Sequence, residues 1–519
     1  MTSTVQSAPS HRLDPARVEQ LTEYAVLSPR AEVMATFCPL DGSELAQVPC
    51  STTDDVDVAY RGARAAFRTW SRLPATSRAR VLRRFHDLVL ERQVEMLDLI
   101  QLETGKTRAH AFGEVVDTAL TALYYARLAP KALRPQRRHG LVPLLTDVIE
   151  VRRPVGVVGI VAPWNFPLAM AVSESLPALM AGNAVVLRPD PQTSLTTLFV
   201  AELLQQAGLP QRVLQVVLGG PEVGEAVLDR ADYVCFTGSS ATGAKVAERA
   251  GRRLAGASLE LGGKNAMYVA ADADVDAAAR GALDACFVSA GQTCISIERL
   301  YLHDAIAEDF LARFVPAVEG MRLGVDLTYG AEMGSLAGQR QLDRVTDHVE
   351  DARAKGARVL AGGRPRPDIG PFVYAPTVLD EVTDDMLLAR QETFGPVVAV
   401  RRVGSDAEFV REANDSTYGL SASIWSRDLV RARGIAHLVE AGTVNINDGF
   451  AVGWTAKDAP MGGMKISGQG RRHGVGGLLR FTEPQTIATA RGVALAMPPS
   501  EESSRWTTAI LRARSFLTP

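Results

Sequence analysis

The chain has 519 residues, of which 46% are hydrophobic and 22% charged, and its formal net charge is −3. This length exceeds that of most domains with a single hydrophobic core and predicts about two to four folded domains. The charge balance offers no basic surplus that would attract nucleic acid or an anionic membrane. The cysteines are few and scattered, with no CxxC pair and no Cys/His cluster at zinc spacing, so we expect no disulfide framework and no metal site.

The N-terminal segment MTSTVQSAPSHRLDPARVEQ lacks the apolar core of a signal peptide. The longest apolar runs, such as 157–163, have the length of a strand and fall far short of the ~20 residues that cross a bilayer. Together with the unpaired cysteines, these features predict a cytoplasmic protein that does not bind a membrane.

Two kinds of pattern follow one another along the chain. From Thr53 to Leu102, apolar residues recur at helical spacing, which predicts two or three amphipathic helices. Around 130–145, Pro, Arg and Gly are dense and predict a connection. From Val157 onward, short apolar runs alternate with segments of helix length, which is typical of βαβ units.

The apolar runs form two series. The first is GVVGIVAP, NAVVLRP, VLQVVLG and YVCFTG, and the second is AMYVA, RLYLH, VVAVRRV, SASIWS and GTVNIN. Continuous apolar runs predict strands of parallel sheets that are buried on both faces. We therefore expect an α/β protein with two doubly wound α/β domains and a cleft between them for a cofactor and a substrate.

Three segments carry candidate catalytic side chains. FVSAGQTC ends in Cys294, where a tight turn can direct backbone N–H groups at a thiolate or an oxyanion. LELGGKN carries Glu260 at a strand end, and PWNFP holds Asn165 between prolines and aromatic rings. Each also has a structural interpretation, namely a buried cysteine, a solvated glutamate and a rigid turn, so none is decisive alone.

Two further segments have the character of binding loops. FTGSSATG (236–243) predicts a strand followed by a helix whose N-terminal amides can face a pyrophosphate. It is not GxGxxG, and a glycine turn between a strand and a helix is common. QETFGP (391–396), taken alone, is interpreted as a loop before the strand PVVAV.

In this order the five segments resemble the aldehyde dehydrogenase superfamily, with Arg188-Pro189 after the first of them and APMGGMKISGQGR near the end. The resemblance extends from about Ala46 to Arg491. Within the superfamily, the segments GSSATG, ISIER, RPDIG and TEPQTIATAR are similar to the NADP-dependent succinate-semialdehyde dehydrogenase type of actinobacteria.

The resemblance implies catalytic roles for three residues. Cys294 would attack the aldehyde carbon, and the Asn165 side-chain amide with the Cys294 backbone N–H would hold the oxyanion. Hydride transfer to a nicotinamide would leave a thioester on Cys294, which Glu260 would hydrolyse as the general base for water. The expected product is a carboxylic acid.

The resemblance also implies an NAD(P) site. Its expected residues are Trp164, Asn165, Arg188, Asp190, Pro191, Gly238, Ser239, Leu261, Glu392 and Phe394. Where the family commonly has Lys-Pro-Ser-Glu, this chain has Pro191 in place of the Glu that would accept the adenosine ribose hydroxyls and repel a 2′-phosphate. Arg188 adds a permanent positive charge. We therefore predict NADP as the preferred cofactor and NAD as the alternative, although Asp190 could restore some repulsion.

The substrate is constrained less closely. Overall similarity favours succinate semialdehyde, but the two arginine positions of better-known succinate-semialdehyde dehydrogenases hold Val288 and Ser173, neither of which pairs with a carboxylate. Arg471 and Arg472 could supply the charge or could form a solvated surface pair. A neutral aliphatic or aromatic aldehyde remains open. So does a cysteine acyl hydrolase, although none of the histidines lies in a recognised Cys/His motif.

The resemblance divides the chain into an NAD(P)-binding domain (1–139 and 155–262), a catalytic domain (263–475), oligomerisation strands (140–154 and 476–495) and a C-terminal tail (496–519). The segments LTDVIEVRR and TEPQTIATAR are similar to the small protruding sheet through which the family forms oligomers. Because exposed strand edges would otherwise favour aggregation, we expect a homodimer or homotetramer.

Overall fold

The structure is a computed structural model that describes residues 12–140, 146–491 and 500–515. The helices are α1 (Pro15–Thr22), α2 (Thr53–Trp70), α3 (Ala75–Glu91), α4 (Gln93–Thr104), α5 (Arg108–Ala132), α6 (Pro167–Ala181), α7 (Ser194–Gln206), α8 (Pro221–Arg230), α9 (Ser240–Arg252), α10 (Val275–Phe287), α11 (Ala307–Glu319), α12 (Gln339–Ala354), α13 (Leu387–Arg390), α14 (Asp406–Asn414), α15 (Leu429–Ala436), α16 (Ala451–Thr455), α17 (Gly474–Leu479) and α18 (Glu501–Ser515).

The strands are β1 (Val33–Phe37), β2 (Glu44–Pro49), β3 (Gln136–Arg138), β4 (Thr146–Pro154), β5 (Val157–Val161), β6 (Ala184–Arg188), β7 (Leu214–Val216), β8 (Tyr233–Thr237), β9 (Gly256–Glu260), β10 (Asn265–Val269), β11 (Ile297–His303), β12 (Arg358–Ala361), β13 (Thr377–Asp380), β14 (Val397–Val403), β15 (Tyr418–Gly419), β16 (Ser421–Trp425), β17 (Thr443–Ile446), β18 (Met464–Lys465), β19 (Gly468–Gln469) and β20 (Thr482–Ala490).

The first large sheet has six strands in the order β19-β9-β8-β5-β6-β7, of which β5 to β9 run parallel. Side chains alternate between its faces. Val158 and Ile160 pack into one apolar cluster, whereas Val157 and Val161 pack into another. The strand order reverses between β5 and β8, and ligands of such sheets bind beyond the carboxyl ends of the strands at this point.

The second large sheet has seven strands in the order β12-β13-β14-β11-β10-β16-β17. All neighbours are parallel except β12 and β13. Its two faces are again buried in separate clusters, one containing Met267 and the other Tyr268. The predicted α/β class with two doubly wound sheets is therefore confirmed, and every apolar run of the two predicted series lies in one of these two sheets.

A third, antiparallel sheet has the strand order β20-β4-β3. It contains parts of the two segments expected to form oligomerisation strands, while 141–145 and 492–495 of those segments lie outside the described residues. Apart from Thr482, the residues of β20 are exposed. Strand β19, within the segment expected to be catalytic, pairs with β9 of the first sheet and so connects the two halves of the chain.

Helix α5 is the largest element that the apolar pattern does not predict. It buries small residues such as Ala111, Ala122 and Ala126 together with the polar residues Glu114 and Asp117. A helix that is buried over most of its surface has no apolar stripe opposite a polar face. The helical spacing is therefore not visible in its hydrophobic pattern. None of the described helices is long and apolar enough to cross a membrane.

Candidate active site

A cavity of about 1170 Å³ is lined by residues that follow strands of both large sheets. The three expected catalytic residues, Cys294, Glu260 and Asn165, all line it. Six more of the expected cofactor residues do so as well, namely Trp164, Gly238, Ser239, Leu261, Glu392 and Phe394. Arg188, Asp190 and Pro191 are not among its lining residues.

Cys294 follows a sharply turned segment between α10 and β11. Ser289, Ala290 and Gly291 have φ values of 51°, 55° and 71°, in the left-handed region. A Cβ atom on Gly291 would lie 2.0 Å from the carbonyl oxygen of Gly395, so only glycine fits there. The Asn265 side-chain amide donates to the Cys294 carbonyl oxygen over 2.8 Å. The tight turn expected before Cys294 is therefore present.

The thiol of Cys294 lies in a buried environment that also holds a positive charge. Burial raises the pKa of Cys294 to about 12, and the guanidinium of Arg472 acts in the opposite direction. The carboxylates of Glu392 and Glu260 raise it further. Among the influences that favour the thiolate, the Arg472 charge is therefore the largest.

Glu260 is the last residue of β9, and its side chain is 8% exposed. Burial raises the pKa of its carboxyl group, while Arg472 lowers it and Glu174 raises it. Its Oε1 lies 3.5 Å from Arg472 Nε and has no hydrogen-bond donor within the described residues. A carboxyl group with a raised pKa and a free oxygen suits a general base that must accept a proton from water.

Asn165 lies where β5 gives way to α6. Its Nδ2 donates to the carbonyl oxygen of Gln292 over 2.9 Å, which ties it to the turn before Cys294. Its own carbonyl oxygen accepts from Lys106 Nζ over 2.7 Å. Lys106 is paired with Glu114, which also accepts from the first backbone amides of α6. The buried pair that fixes Asn165 was missed in the sequence because it depends on α5.

The segment FTGSSATG forms the predicted strand, turn and helix. Ser239 caps α9 by accepting from the amide of Thr242 over 3.3 Å, and Gly238 and Ser239 line the cavity. The rings of Trp164 and Phe394 meet edge to face with centroids 5.6 Å apart. A helix N-terminus beside an aromatic wall is a suitable environment for a dinucleotide.

Glu392 is held by the two glycines that follow Glu260. Its Oε1 accepts from the amide of Gly263 over 2.9 Å, and a Cβ on Gly262 would lie 2.5 Å from its Oε2. Burial raises the pKa of Glu392 to about 7. The following loop is anchored by Glu298, which accepts from the amides of Thr393 and Phe394. QETFGP is therefore held in place by hydrogen bonds and lines the cavity through Glu392 and Phe394.

The Arg188 segment is placed at the end of β6, against the start of α8. Arg188 is buried, and its Nε donates to the carbonyl oxygen of Gly219 over 2.9 Å. Asp190 caps the short 3-10 turn Pro191–Thr193 by accepting from the amide of Gln192 over 3.1 Å. The Asp190 carboxylate is thus turned towards its own backbone.

The structure separates the adjacent residues Arg471 and Arg472. Arg472 lines the cavity with a side chain that is only 5% exposed, so a solvated surface pair is wrong for this residue. Arg471 is not a lining residue and donates to the carbonyl oxygens of Gly463 and Gly470 over 2.8 and 2.7 Å. A single buried guanidinium therefore faces the cavity from this segment.

Two further groups of residues line the cavity and were not predicted from the sequence. Helix α12 contributes Arg340, Gln341 and Arg344. Its amphipathic pattern predicts a helix but does not indicate that these residues line the cavity. The histidines at the cavity are His110, His348 and His473. Burial lowers the pKa of both His110 and His348 to about 4, and within the described residues no histidine is hydrogen-bonded to Cys294.

Two doubly wound sheets, a cavity that holds a cysteine and a glutamate, and a helix N-terminus at the strand-order reversal together define a class of enzyme that uses a dinucleotide. The chain belongs to the aldehyde dehydrogenase family, whose family model matches residues 26–487. It is an oxidoreductase that acts on aldehydes.

Curated relatives and solved structures agree with this assignment. The "Putative succinate-semialdehyde dehydrogenase [NADP(+)]" of Mycolicibacterium smegmatis is 50% identical over 466 residues, which cover 90% of each chain. The crystal structure of succinate-semialdehyde dehydrogenase from Burkholderia pseudomallei superimposes with a TM-score of 0.85 at 32% identity, covering 90% of this chain and 97% of that one. PnpE in complex with nicotinamide adenine dinucleotide gives a TM-score of 0.86 at 35% identity, covering 90% and 96%.

Proposed function

We propose that the protein oxidises succinate semialdehyde to succinate with NADP as the preferred cofactor, through a thioester on Cys294. The observation that carries this proposal is that Cys294, Glu260 and Asn165 line the same cavity as the N-terminus of α9. Their side chains are the nucleophile, base and oxyanion donor that the reaction needs.

The first half of the reaction forms the thioester. The Cys294 thiolate attacks the carbonyl carbon of the aldehyde, and its Sγ–C bond forms as the carbonyl oxygen becomes an oxyanion. Asn165 is fixed by Gln292 and Lys106, so its amide is oriented to stabilise that charge. When NADP is bound, its nicotinamide supplies the hydride acceptor.

The second half hydrolyses the thioester. Glu260 accepts a proton from water, the hydroxyl oxygen attacks the carbonyl carbon, and the Cys294 Sγ–C bond breaks to release the acid and the Cys294 thiolate, after which Glu260 gives up the proton. The raised pKa of Glu260 makes it a stronger proton acceptor than an exposed glutamate would be. A hydrolytic route through Glu260 also distinguishes this protein from dehydrogenases that pass the acyl group to coenzyme A.

The residues present fit a nicotinamide dinucleotide. The helix N-terminus at Gly238 and Ser239 suits the pyrophosphate, Trp164 lines the same cavity, and Glu392 with Phe394 would position the nicotinamide ribose. Arg188, Asp190 and Pro191 remain the proposed adenosine end. NADP is favoured by the absence of a glutamate at Pro191, by the internal cap that engages Asp190, and by the NADP(+) in the name of the mycobacterial relative.

We further propose a homodimer or homotetramer in the cytoplasm. The exposed strand β20, paired on one side with β4, leaves a long edge of the kind that folded proteins cover. A molar mass equal to one chain in light scattering would contradict this proposal.

A panel of aldehydes with and without a terminal carboxylate, run with NADP and with NAD, tests the proposed function. We expect the highest kcat/KM for succinate semialdehyde with NADP. Hydrolysis of activated acyl esters together with no cofactor-dependent aldehyde oxidation would instead indicate a cysteine acyl hydrolase. A kcat/KM for NAD far above that for NADP would contradict the cofactor preference.

A further inference from the structure

We propose that the two ends of the buried segment 103–106 are positioning residues for two different parts of the reaction. Lys106 positions Asn165, the proposed oxyanion donor. Glu103 positions the turn Pro191–Thr193, at the proposed adenosine end of the cofactor. This inference deepens the proposed function and rests on it, since neither residue is given any chemistry of its own.

Asn165 is held at its main chain by Lys106 and at its side chain by Gln292. Lys106 Nζ donates to the Asn165 carbonyl oxygen over 2.7 Å, and Asn165 Nδ2 donates to the Gln292 carbonyl oxygen over 2.9 Å. An amide nitrogen carries two hydrogens, so one remains for an oxyanion after the bond to Gln292. Lys106 therefore acts at the main-chain point from which the donor side chain extends.

Lys106 is itself fixed by a buried ion pair. Its Nζ lies 2.6 Å from Glu114 Oε1, and the two side chains are 2% and 0% exposed. Glu114 Oε2 accepts from the amides of Leu168 and Ala169, over 3.0 Å each, in the first turn of α6. Asn165 lies just before this turn. The pair thus holds the carbonyl group of Asn165 and the start of α6 as one unit.

The segment also reaches Asn165 by a second, indirect path. The Gly105 carbonyl oxygen accepts from the amide of Ser335 over 2.9 Å. Two residues further along, the amide of Ala337 donates to Gln292 Oε1 over 2.9 Å. Gln292 is the residue whose carbonyl oxygen accepts from Asn165. The segment therefore holds Asn165 both directly and through the loop 335–337, which closes a ring of hydrogen bonds around it.

Glu103 holds the proposed adenosine end from the other end of the segment. Its two carboxylate oxygens accept from the amides of Leu195 and Thr196, over 2.8 and 2.9 Å, and the residue is only 1% exposed. These amides lie in the first turn of α7, which begins directly after the turn Pro191–Thr193. The Glu103 carbonyl oxygen also accepts from Gln192 Nε2 over 3.3 Å. Glu103 is therefore bonded both to this turn and to the helix that follows it.

The test of Lys106 measures the first-turnover burst of NADPH with succinate semialdehyde and with butanal, which has the same chain length and no carboxylate. The double variant Lys106→Met/Glu114→Gln removes the bond to Asn165 without leaving one buried charge unpaired. We expect the burst rate constant to fall roughly 10- to 100-fold for both aldehydes, because a displacement of about 1 Å can cost that much. The NADP concentration that gives half the maximal rate constant should stay unchanged.

The opposite result is expected for Glu103→Gln. Glutamine offers one acceptor oxygen where the carboxylate offers two, so one amide of α7 loses its partner. The half-saturating NADP concentration should rise roughly 2- to 10-fold, as for one lost hydrogen bond, and the burst rate constant at saturating NADP should stay unchanged. Thr104→Val is the matched control for both quantities, because the Thr104 hydroxyl is buried in the same segment and bonds only within residues 100–106.

The burst amplitude counts the folded enzyme, so it separates loss of folding from loss of positioning. A lower amplitude with a wild-type rate constant in the double variant would make the Lys106 pair merely structural and overturn its role. So would a rate constant that falls for only one of the two aldehydes. If the double variant does not fold, Lys106→Gln, which keeps a neutral donor beside Glu114, takes its place with the same outcomes.

The Glu103 end fails separately. An unchanged half-saturating NADP concentration in Glu103→Gln, or a fall in its burst rate constant at saturating NADP, would overturn the role of Glu103. Equal changes in Thr104→Val would show that any disturbance of the segment has these effects and would overturn the assignment of both ends. A wild-type enzyme without Cys294-dependent aldehyde oxidation would instead overturn the proposed function, so the failures are distinguishable.

Discussion

The cavity has two walls that are built differently. In the first, which we call the motif wall (Asn165, Glu260, Cys294 and Glu392), hydrogen bonds between side chains and backbone groups hold the segments in place, as at Gln292 and Gly263. In the second, the helical wall (Asp117 on α5, Ser173 on α6, and Arg472 and His473 directly before α17), buried charges pair with one another, and some polar side-chain atoms have no hydrogen-bond partner among the described residues. The motif wall holds the groups that we propose react with the aldehyde, whereas the helical wall is set apart by its buried charges.

The largest effect is expected from Cys294→Ala. Loss of the nucleophile should lower kcat/KM for every aldehyde on the order of 10⁴-fold or more, because no thioester can form. Reduction of NADP is followed by absorbance, and cofactor binding is measured separately by fluorescence titration and should persist. Cys286→Ala is the matched control, since Cys286 is fully buried and is not a lining residue. Turnover retained by Cys294→Ala would remove Cys294 from its role.

Glu260→Gln should come next, with steady-state turnover reduced roughly 10²- to 10⁴-fold for charged and neutral aldehydes alike. The first-turnover burst should survive, because hydride transfer precedes hydrolysis. Burial raises the pKa of Glu260, and the base works only when ionised, so wild-type hydrolysis should fall as the pH drops through that raised pKa. A pH profile that keeps this acidic limb in Glu260→Gln would assign the limb to another group.

Asn165→Ala should reduce kcat roughly 10²- to 10³-fold, as expected for the loss of one oxyanion donor. The loss should be equal for succinate semialdehyde and butanal, since both form the same oxyanion. The measurement is the burst rate constant with each aldehyde. A loss confined to the carboxylated aldehyde would move Asn165 from the motif wall to the recognition of substrate.

The smallest expected effect is at the adenosine end. Pro191→Glu restores a carboxylate where the ribose hydroxyls are expected, and should shift the ratio of kcat/KM for NADP over NAD roughly tenfold towards NAD. Gln192→Glu is the control, because it adds the same charge one residue further along. An unchanged ratio in Pro191→Glu would show that Pro191 does not set the cofactor preference.

The motif wall could be predicted from the sequence because its function depends on local backbone. The turn before Cys294, the strand end at Glu260 and the cap of α9 each lie within a few residues of the side chain concerned. The strands were predictable for a related reason, since sheets buried on both faces give continuous apolar runs. No single segment shows which other segments it meets in the cavity. That part of the site was predicted only from the order of the segments along the chain.

The helical wall could not be predicted in the same way. Asp117 and Ser173 lie on helices that are buried on most sides. Such helices have no separate polar and apolar faces, so the sequence does not show which polar residues point into the cavity. Arg472 looks identical to Arg471 in the sequence, and only the tertiary fold buries one of them. Contacts between residues hundreds of positions apart, such as Lys457 with Asp117, have no local signal.

The most direct test of the thioester on Cys294 is to trap it. Glu260→Gln is mixed with succinate semialdehyde and NADP, quenched in acid within the first turnover, digested and analysed by mass spectrometry. We expect a succinyl group on the peptide that contains Cys294, in an amount equal to the burst of NADPH. A burst of NADPH with an unmodified Cys294 peptide, or with the acyl group on another residue, would contradict it.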